Sequence, residues 1–325
     1  MKKIHLSSMH SWALSSSTRA FLQEGRRTAG YSLSDAIHGY IYARWPYLYI
    51  GIGTSEHPLA KRLSPLVAAI LNRLPHLDHQ SQETRIHSAT IPSHSVADGY
   101  HGKVVPLSAA TQLVTVNEPL RLPNLEQVIP YVRARDIILQ NPDHIVALEC
   151  PCRASRPNPC LPLDVCLIIG EPFASFVAEH QPDRTRWITS CEAVEILQAE
   201  DQRGHVHHAF FKDAMLGRFY AICNCCACCC GAMQAQRNGT PMLAASGYVS
   251  HVDLDLCIGC GNCEETCQFG AISIPNGYAI IDPEACMGCG ICVAHCEQGA
   301  LVLKRDLSKG EPLEIFSLIE NLESA

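Results

Sequence analysis

No stretch of this chain carries the roughly 18–20 consecutive apolar residues of a membrane helix. Residues 41–52 come nearest, and Arg44 and Pro46 interrupt them. Charge is sparse, at 18% of residues, and the segment from Tyr248 to Leu303 has no Lys or Arg at all. That gap excludes nucleic acid as the partner of this segment, because phosphate backbones are held by cations. A glycine-rich phosphate loop is also missing. Gly51-x-Gly53 stands alone with no strand and helix framing it, so no nucleotide or flavin site is expected. Met1-Lys2-Lys3 and Arg26-Arg27 are not followed by the apolar core of an export signal, and export is not expected.

What the chain has in excess is sulfur. It holds 19 cysteines among 325 residues, with 47% hydrophobic content and a net charge of −7. The length is enough for more than one core and argues against a small disulfide scaffold. Eight of the cysteines follow one rule: Cys257-x2-Cys260-x2-Cys263-x3-Cys267, then Cys286-x2-Cys289-x2-Cys292-x3-Cys296. A 4Fe–4S cubane takes four thiolates at the corners of a small tetrahedron. Two-residue spacers wrap three of them around one cluster, and the fourth reaches across to the other. This assigns Cys257, Cys260, Cys263 and Cys296 to a first cluster, and Cys286, Cys289, Cys292 and Cys267 to a second. Zinc would prefer paired Cys-x2-Cys knuckles.

The stretch is an internal repeat. Residues 252–274 overlay residues 281–303, with the four cysteines and Gly259/Gly288, Gly261/Gly290 and Gly270/Gly299 coinciding. On these residues it resembles the bacterial dicluster ferredoxin module, from about residue 248 to 304. One feature departs from that family: Gln268 and Glu297 stand where it has proline after the fourth cysteine. Residues 248–303 also carry seven acids (Asp253, Asp255, Glu264, Glu265, Asp282, Glu284, Glu297), which account for the whole net charge. An acidic face steers a redox partner protein with a basic docking face.

A second cysteine system precedes the module. Cys150, Cys152, Cys160 and Cys166 lie among Pro151, Pro157, Pro159 and Pro162, and Cys223, Cys225, Cys226, Cys228, Cys229 and Cys230 crowd into eight residues. Adjacent cysteines bridge one another poorly, so metal is the favoured use, as a further Fe–S cluster or zinc. One loop cannot aim six thiols at one ion, and some are expected to face the 150–166 loop. Cys191, in a first helical turn, reads as a small buried residue.

The order Cys150-Pro151-Cys152-Arg153, Pro162-Leu163-Asp164-Val165-Cys166, Glu192-Ala193-Val194-Glu195-Ile196-Leu197, the 223–230 run and a terminal dicluster module resembles uncharacterised 4Fe–4S dicluster proteins of anaerobic bacteria, over about residues 125–304. The resemblance implies Fe–S binding and electron transfer. Cluster chemistry and the many thiols suit a reducing cytoplasm in an anaerobic host.

The expected fold is α+β: an N-terminal mixed region (1–120), a Cys-rich domain (121–247), a ferredoxin domain (248–304) and a C-terminal helix (305–325). A helix is expected from about Leu33, capped at Ser32 or Ser34. A strand over residues 40–52 is broken at Pro46, with its aromatics read as core. Further helices are expected over residues 58–74, 124–129, 132–140 and 187–203, the last capped at Thr189 or Ser190. Extended chain is expected over 104–118, 145–148 and 167–169. The histidines His76, His79, His87, His94 and His101 read as a solvated loop. His205, His207 and His208 read as extended chain. Three functions fit: an electron carrier docking a partner oxidoreductase, a reductase reacting at the 223–230 run with the ferredoxin module as its wire, and a metal- or cluster-assembly factor.

Overall fold

The computed structural model describes residues 15–54, 99–133 and 135–323. The expected helix over 58–74 and His76, His79, His87 and His94 lie outside the described residues. The architecture is α+β. An eight-stranded sheet runs in the order β2-β3-β4-β7-β6-β1-β8, with β5 pairing β3 off this path. The strands are β1 Tyr100–Val105, β2 Leu120–Leu122, β3 Ile137–Leu148, β4 Cys166–Glu171, β5 Thr185–Ile188, β6 Val206–Lys212, β7 Arg218–Cys225 and β8 Leu243–Ala244. All pairs are antiparallel except β1 with β8.

Side chains alternate across the sheet. Ile145, Ala147, Leu167, Ile169, Phe219 and Ile222 face one core, against α4 (Leu107–Thr115), α7 (Ser190–Gln202) and α11 (Ile315–Glu323). Val146, Leu148, Cys166, Ile168, Ala221 and Cys225 face the other. There they meet α1 (Ser16–Arg27), α2 (Leu33–Arg44), α3 (Pro46–Gly53) and α6 (Phe173–His180). The ten cysteines outside the ferredoxin segment and Cys191 gather at this second face, with the short helices α5 (Pro151–Ala154) and α8 (Gly231–Arg237).

Several expectations are corrected. Residues 40–52 are helical, and the break at Pro46 is a helix start: proline at the first position has its backbone angle preset and lacks only an N–H that would be unpaired there. Ser32 caps α2 in a reciprocal box with Asp35. Extended chain over 104–118 holds only to Val105. Beyond Pro106 the apolar spacing Ala109, Ala110, Leu113, Val114 is helical, and burial of that face overrides the β preference of Val114 and Thr115. Residues 124–129 form a turn, and 132–140 lead into β3, because Pro123 and Pro130 interrupt any helix. Trp187 belongs to β5, and the helix starts at Ser190 behind a Thr189–Glu192 capping box. Cys191 is exposed, since the buried face of α7 is Ala193, Leu197, Glu200 and Asp201. His101 is no loop residue. It is buried on β1 and stacks 3.8 Å from Tyr131.

The ferredoxin segment is a small unit of its own. β9 (Tyr248–Val252) pairs with β12 (Leu301–Arg305), and β10 (Ile272–Ser273) with β11 (Ile280–Ile281). Helices α9 (Asn262–Thr266) and α10 (Ile291–Ala294) each start behind a left-handed glycine, Gly261 and Gly290. Ile291 packs on Val104 and Val206 of the large sheet, with Phe269, Met287 and Cys289 around them. His295 Nε2 lies 3.1 Å from the carbonyl oxygen of Gln202, beyond the end of α7.

Candidate metal centres

Two cavities of about 350 Å³ each lie inside the ferredoxin segment. Cys257, Cys260, Cys263 and Cys296 line the first. Cys267, Cys286, Cys289 and Cys292 line the second. In each, three thiols come from one repeat and the fourth from the other. Both cavities are otherwise walled by backbone and by side chains such as Ile274, Leu301, Ile272 and Phe269. Four sulfur donors around a closed apolar hollow are the donor set that a 4Fe–4S cubane takes.

The backbone is shaped to this. A Cβ on Gly259 would run into the carbonyl of Gly277, and one on Gly288 into the carbonyl of Tyr248; both positions also have φ in the left-handed region. Backbone N–H groups point at sulfur: Ala279 at Cys257 (3.4 Å), Ala271 at Cys267 (3.3 Å) and Ser250 at Cys286 (3.5 Å). The buried Ser250 hydroxyl lies 3.3 Å from Cys292 Sγ. Burial pushes the Cys292 thiol up to about 11, and raises Cys289 and Cys263 as well. These sulfurs hold protons until a metal displaces them.

The two cavities differ in access. Cys260 is exposed, and Leu254 and Ile258 beside it are 60% and 65% exposed. Cys286 and Cys292 are buried, and the second cavity includes Phe269, Met287 and Ile291, which face the large sheet.

The earlier cysteines split into two groups. Cys160, Cys226, Cys228 and Cys229 have their sulfurs all within 4.8 Å of one another. Cys160 and Cys228 are 3.2 Å apart, and Cys228 and Cys229 3.7 Å. A tetrahedral ion with metal–sulfur bonds of about 2.3 Å sets sulfur–sulfur edges of about 3.8 Å. The quartet therefore fits one tetrahedral ion of the zinc or iron kind. Burial raises Cys160 to about 11 and raises Cys226. Burial also acts upward on Cys228, but hydrogen bonds from Cys160, Cys226 and Cys229 outweigh it and bring that thiol down. Three thiols thus converge on one thiolate, which is the place a cation takes. The loop is held from behind. Arg156 Nη2 donates to the Cys229 carbonyl at 3.2 Å and to Gln234 Oε1 at 2.6 Å, and Gln234 Nε2 donates to the Cys228 carbonyl at 3.0 Å.

Cys150, Cys152, Cys166, Cys223, Cys225 and Cys230 line a separate, larger cavity of about 790 Å³ beside the quartet. Sequence reasoning placed all ten thiols in one provisional set and missed this division. It also missed Arg153, which lies buried at the cavity wall. Its Nη2 donates to Glu200 (2.6 Å) and to the Asn224 carbonyl (2.9 Å), and its Nη1 to the Pro162 carbonyl (2.6 Å). The Cys150-Pro151-Cys152-Arg153 order was the available signal.

A family model of the 4Fe-4S dicluster domain matches residues 256–301. A stretch of 47 residues is 49% identical to part of a ferredoxin/F(420)H(2)-dependent CoB-CoM heterodisulfide reductase subunit of Methanosarcina acetivorans. The stretch is 14% of this chain and 6% of that relative, so the chain spans only a small part of the relative's length. The C-terminal part of this chain carries a 4Fe–4S dicluster domain, similar there to a redox subunit of a reductase.

Proposed function

We propose that this chain is an iron–sulfur electron-transfer protein that relays electrons between a partner oxidoreductase and its own Cys-rich domain. Cys257, Cys260, Cys263 and Cys296 hold one 4Fe–4S cluster. Cys286, Cys289, Cys292 and Cys267 hold the other. Cys160, Cys226, Cys228 and Cys229 hold a further metal ion. The observation that carries the reading is the pair of cavities, each closed by a triplet from one repeat and a single thiol from the other. When bound, the clusters supply one-electron redox chemistry, and the chain's residues set their surroundings.

Access supports an order. The first cavity lies at the surface, beside exposed Leu254 and Ile258 and the acids Asp253, Asp255, Glu264 and Glu265. An apolar patch with an acidic rim suits a partner with a basic face, and transient redox complexes of this kind are small and salt-sensitive. The second cavity faces the body of the protein. Electrons would cross from partner to first cluster to second cluster, or the reverse. Membership of a reductase complex, in the name of the relative matched, supports an oxidoreductase as that partner. A cytoplasmic setting follows from the chemistry proposed. Among the described residues no helix is long and apolar enough to cross a membrane.

The test is anaerobic purification with iron, zinc and acid-labile sulfide counts and electron paramagnetic resonance after reduction. Two interacting 4Fe–4S signals are expected, with one further metal ion that Cys160→Ser with Cys228→Ser removes. A preparation holding zinc and no labile sulfide would sink the reading.

A further inference from the structure

We propose that the large cavity on the second face of the sheet is a built site for a polynuclear iron–sulfur centre, held by Cys150, Cys152, Cys166, Cys223, Cys225 and Cys230. The inference rests on reading the chain as an iron–sulfur protein, and it adds a centre distinct from the quartet and from the two ferredoxin clusters.

The six thiols converge from separate stretches. Cys150 and Cys152 flank Pro151 at α5, Cys166 starts β4, Cys223 and Cys225 share one face of β7, and Cys230 precedes α8. β4 and β7 pair in register at Cys166 and Cys223, with the two sulfurs 3.8 Å apart. Cys150 is hydrogen-bonded to Cys152 and Cys166, and Cys225 to Cys230. All six line one hollow of about 790 Å³, over twice the 350 Å³ of either ferredoxin cavity. Native interiors close gaps far smaller than this with side chains.

The other polar groups of the wall are already engaged. The Tyr42 and Tyr220 hydroxyls bond each other at 2.7 Å, and Arg153 is engaged by Glu200 and two carbonyls. A polar organic substrate would find few free donors, whereas soft sulfur suits iron–sulfur chemistry. Six donors exceed the four of one tetrahedral ion, which favours more than one metal. A second observation points the same way. His208 is fully buried on β6, directly across from Cys223 and on the same face as Phe210, which lines the cavity. Neither ring nitrogen of His208 has a hydrogen-bond partner of good geometry among the described residues. Buried polar groups left so are uncommon in native proteins, and this one stands where a donor at the cavity wall would be used.

The full chain, made and purified without oxygen, gives the test. Two ferredoxin clusters supply about eight labile sulfides per chain, and a single ion in the quartet supplies none. The inference expects sulfide and iron above that level. Cys150→Ser with Cys225→Ser should remove the excess sulfide while the ferredoxin resonance signals persist, which shows that the chain still folds. Cys160→Ser with Cys228→Ser should remove one metal ion and leave the excess sulfide. Should the cavity pair fail to fold, single Cys166→Ser and the wild-type sulfide count decide. Wild-type sulfide at the two-cluster level overturns the inference, as does excess sulfide that survives the cavity variants, or zinc in place of the additional iron. Ferredoxin signals without excess sulfide would sink this inference alone, whereas loss of those signals from the wild type would sink the proposed function.

Discussion

The backbone N–H of Ala227 donates a 2.9 Å hydrogen bond to Oε1 of Gln268. Ala227 lies between Cys226 and Cys228 of the quartet, and Gln268 follows Cys267 of the second ferredoxin cavity. One bond therefore ties the two sulfur systems together. The related ferredoxin modules have proline at the position of Gln268, and proline has no side-chain acceptor. The departure thus has a use: it fixes the Cys-rich loop against the ferredoxin domain.

Gln268→Ala leaves a partly buried N–H unpaired. A cost of about 1–2 kcal/mol in folding stability is expected, with unchanged iron content. Anaerobic denaturation alongside an iron count checks this. Unchanged stability would mean that the bond is replaced by water at no cost.

The two remote thiols should act crosswise. Cys296→Ser is expected to remove the cluster of the Cys257 triplet, and Cys267→Ser the cluster of the Cys286 triplet, each with a loss of about four iron atoms. Resonance spectra of the two single variants decide it, because the surviving signals must differ. If Cys296→Ser spared the surface cluster, the crossed assignment would be wrong.

Ser250 sits beside Cys292 with its hydroxyl 3.3 Å from the sulfur. A hydroxyl donating to a ligating sulfur favours the reduced, more negative cluster. Ser250→Ala should therefore lower the potential of the inner cluster. A hydrogen bond worth about 1 kcal/mol corresponds to roughly 40 mV for a one-electron couple. A redox titration should show one potential moving and the other fixed.

Lys103 is buried on β1, and its Nζ donates to the Glu311 carbonyl at 2.8 Å. Burial first, and Arg305 second, bring its ammonium down to about 7. The unfolded chain keeps this proton to about pH 10.4. Below pH 7 the fold carries the full cost of the buried charge. That cost is relieved as pH rises from about 7 towards 10, where the unfolded state binds more protons than the folded one. Wild-type stability should therefore gain on Lys103→Met across pH 7 to 9. A difference that stays flat with pH would show that Lys103 keeps an ordinary pKa.

Local rules carried well where one element answers to its own residues. The capping boxes at Ser32 and Thr189, the buried strands at residues 145–148 and 167–169, and the glycine-marked repeat were legible because caps, alternation and tight turns act over a few residues. The aromatic run at 40–52 and Val104 to Glu118 were misread for the opposite reason. Their β-branched and aromatic content favours strands, but burial of one helical face against the sheet outweighs a preference of about 1 kcal/mol or less. Cys191 was misplaced because composition alone does not say which face of a helix is turned inward.

The spacing of eight cysteines was enough to determine a dicluster domain, since short spacers constrain which thiols can wrap one cubane. What the other ten thiols do was decided only by the tertiary structure. Cys160 joins Cys226, Cys228 and Cys229 across more than sixty residues. Cys166 meets Cys223 only because β4 and β7 pair in that register. Spacing along the chain governs ligands on one loop, whereas strand register and helix packing govern those brought from far apart, and no local pattern encodes the second.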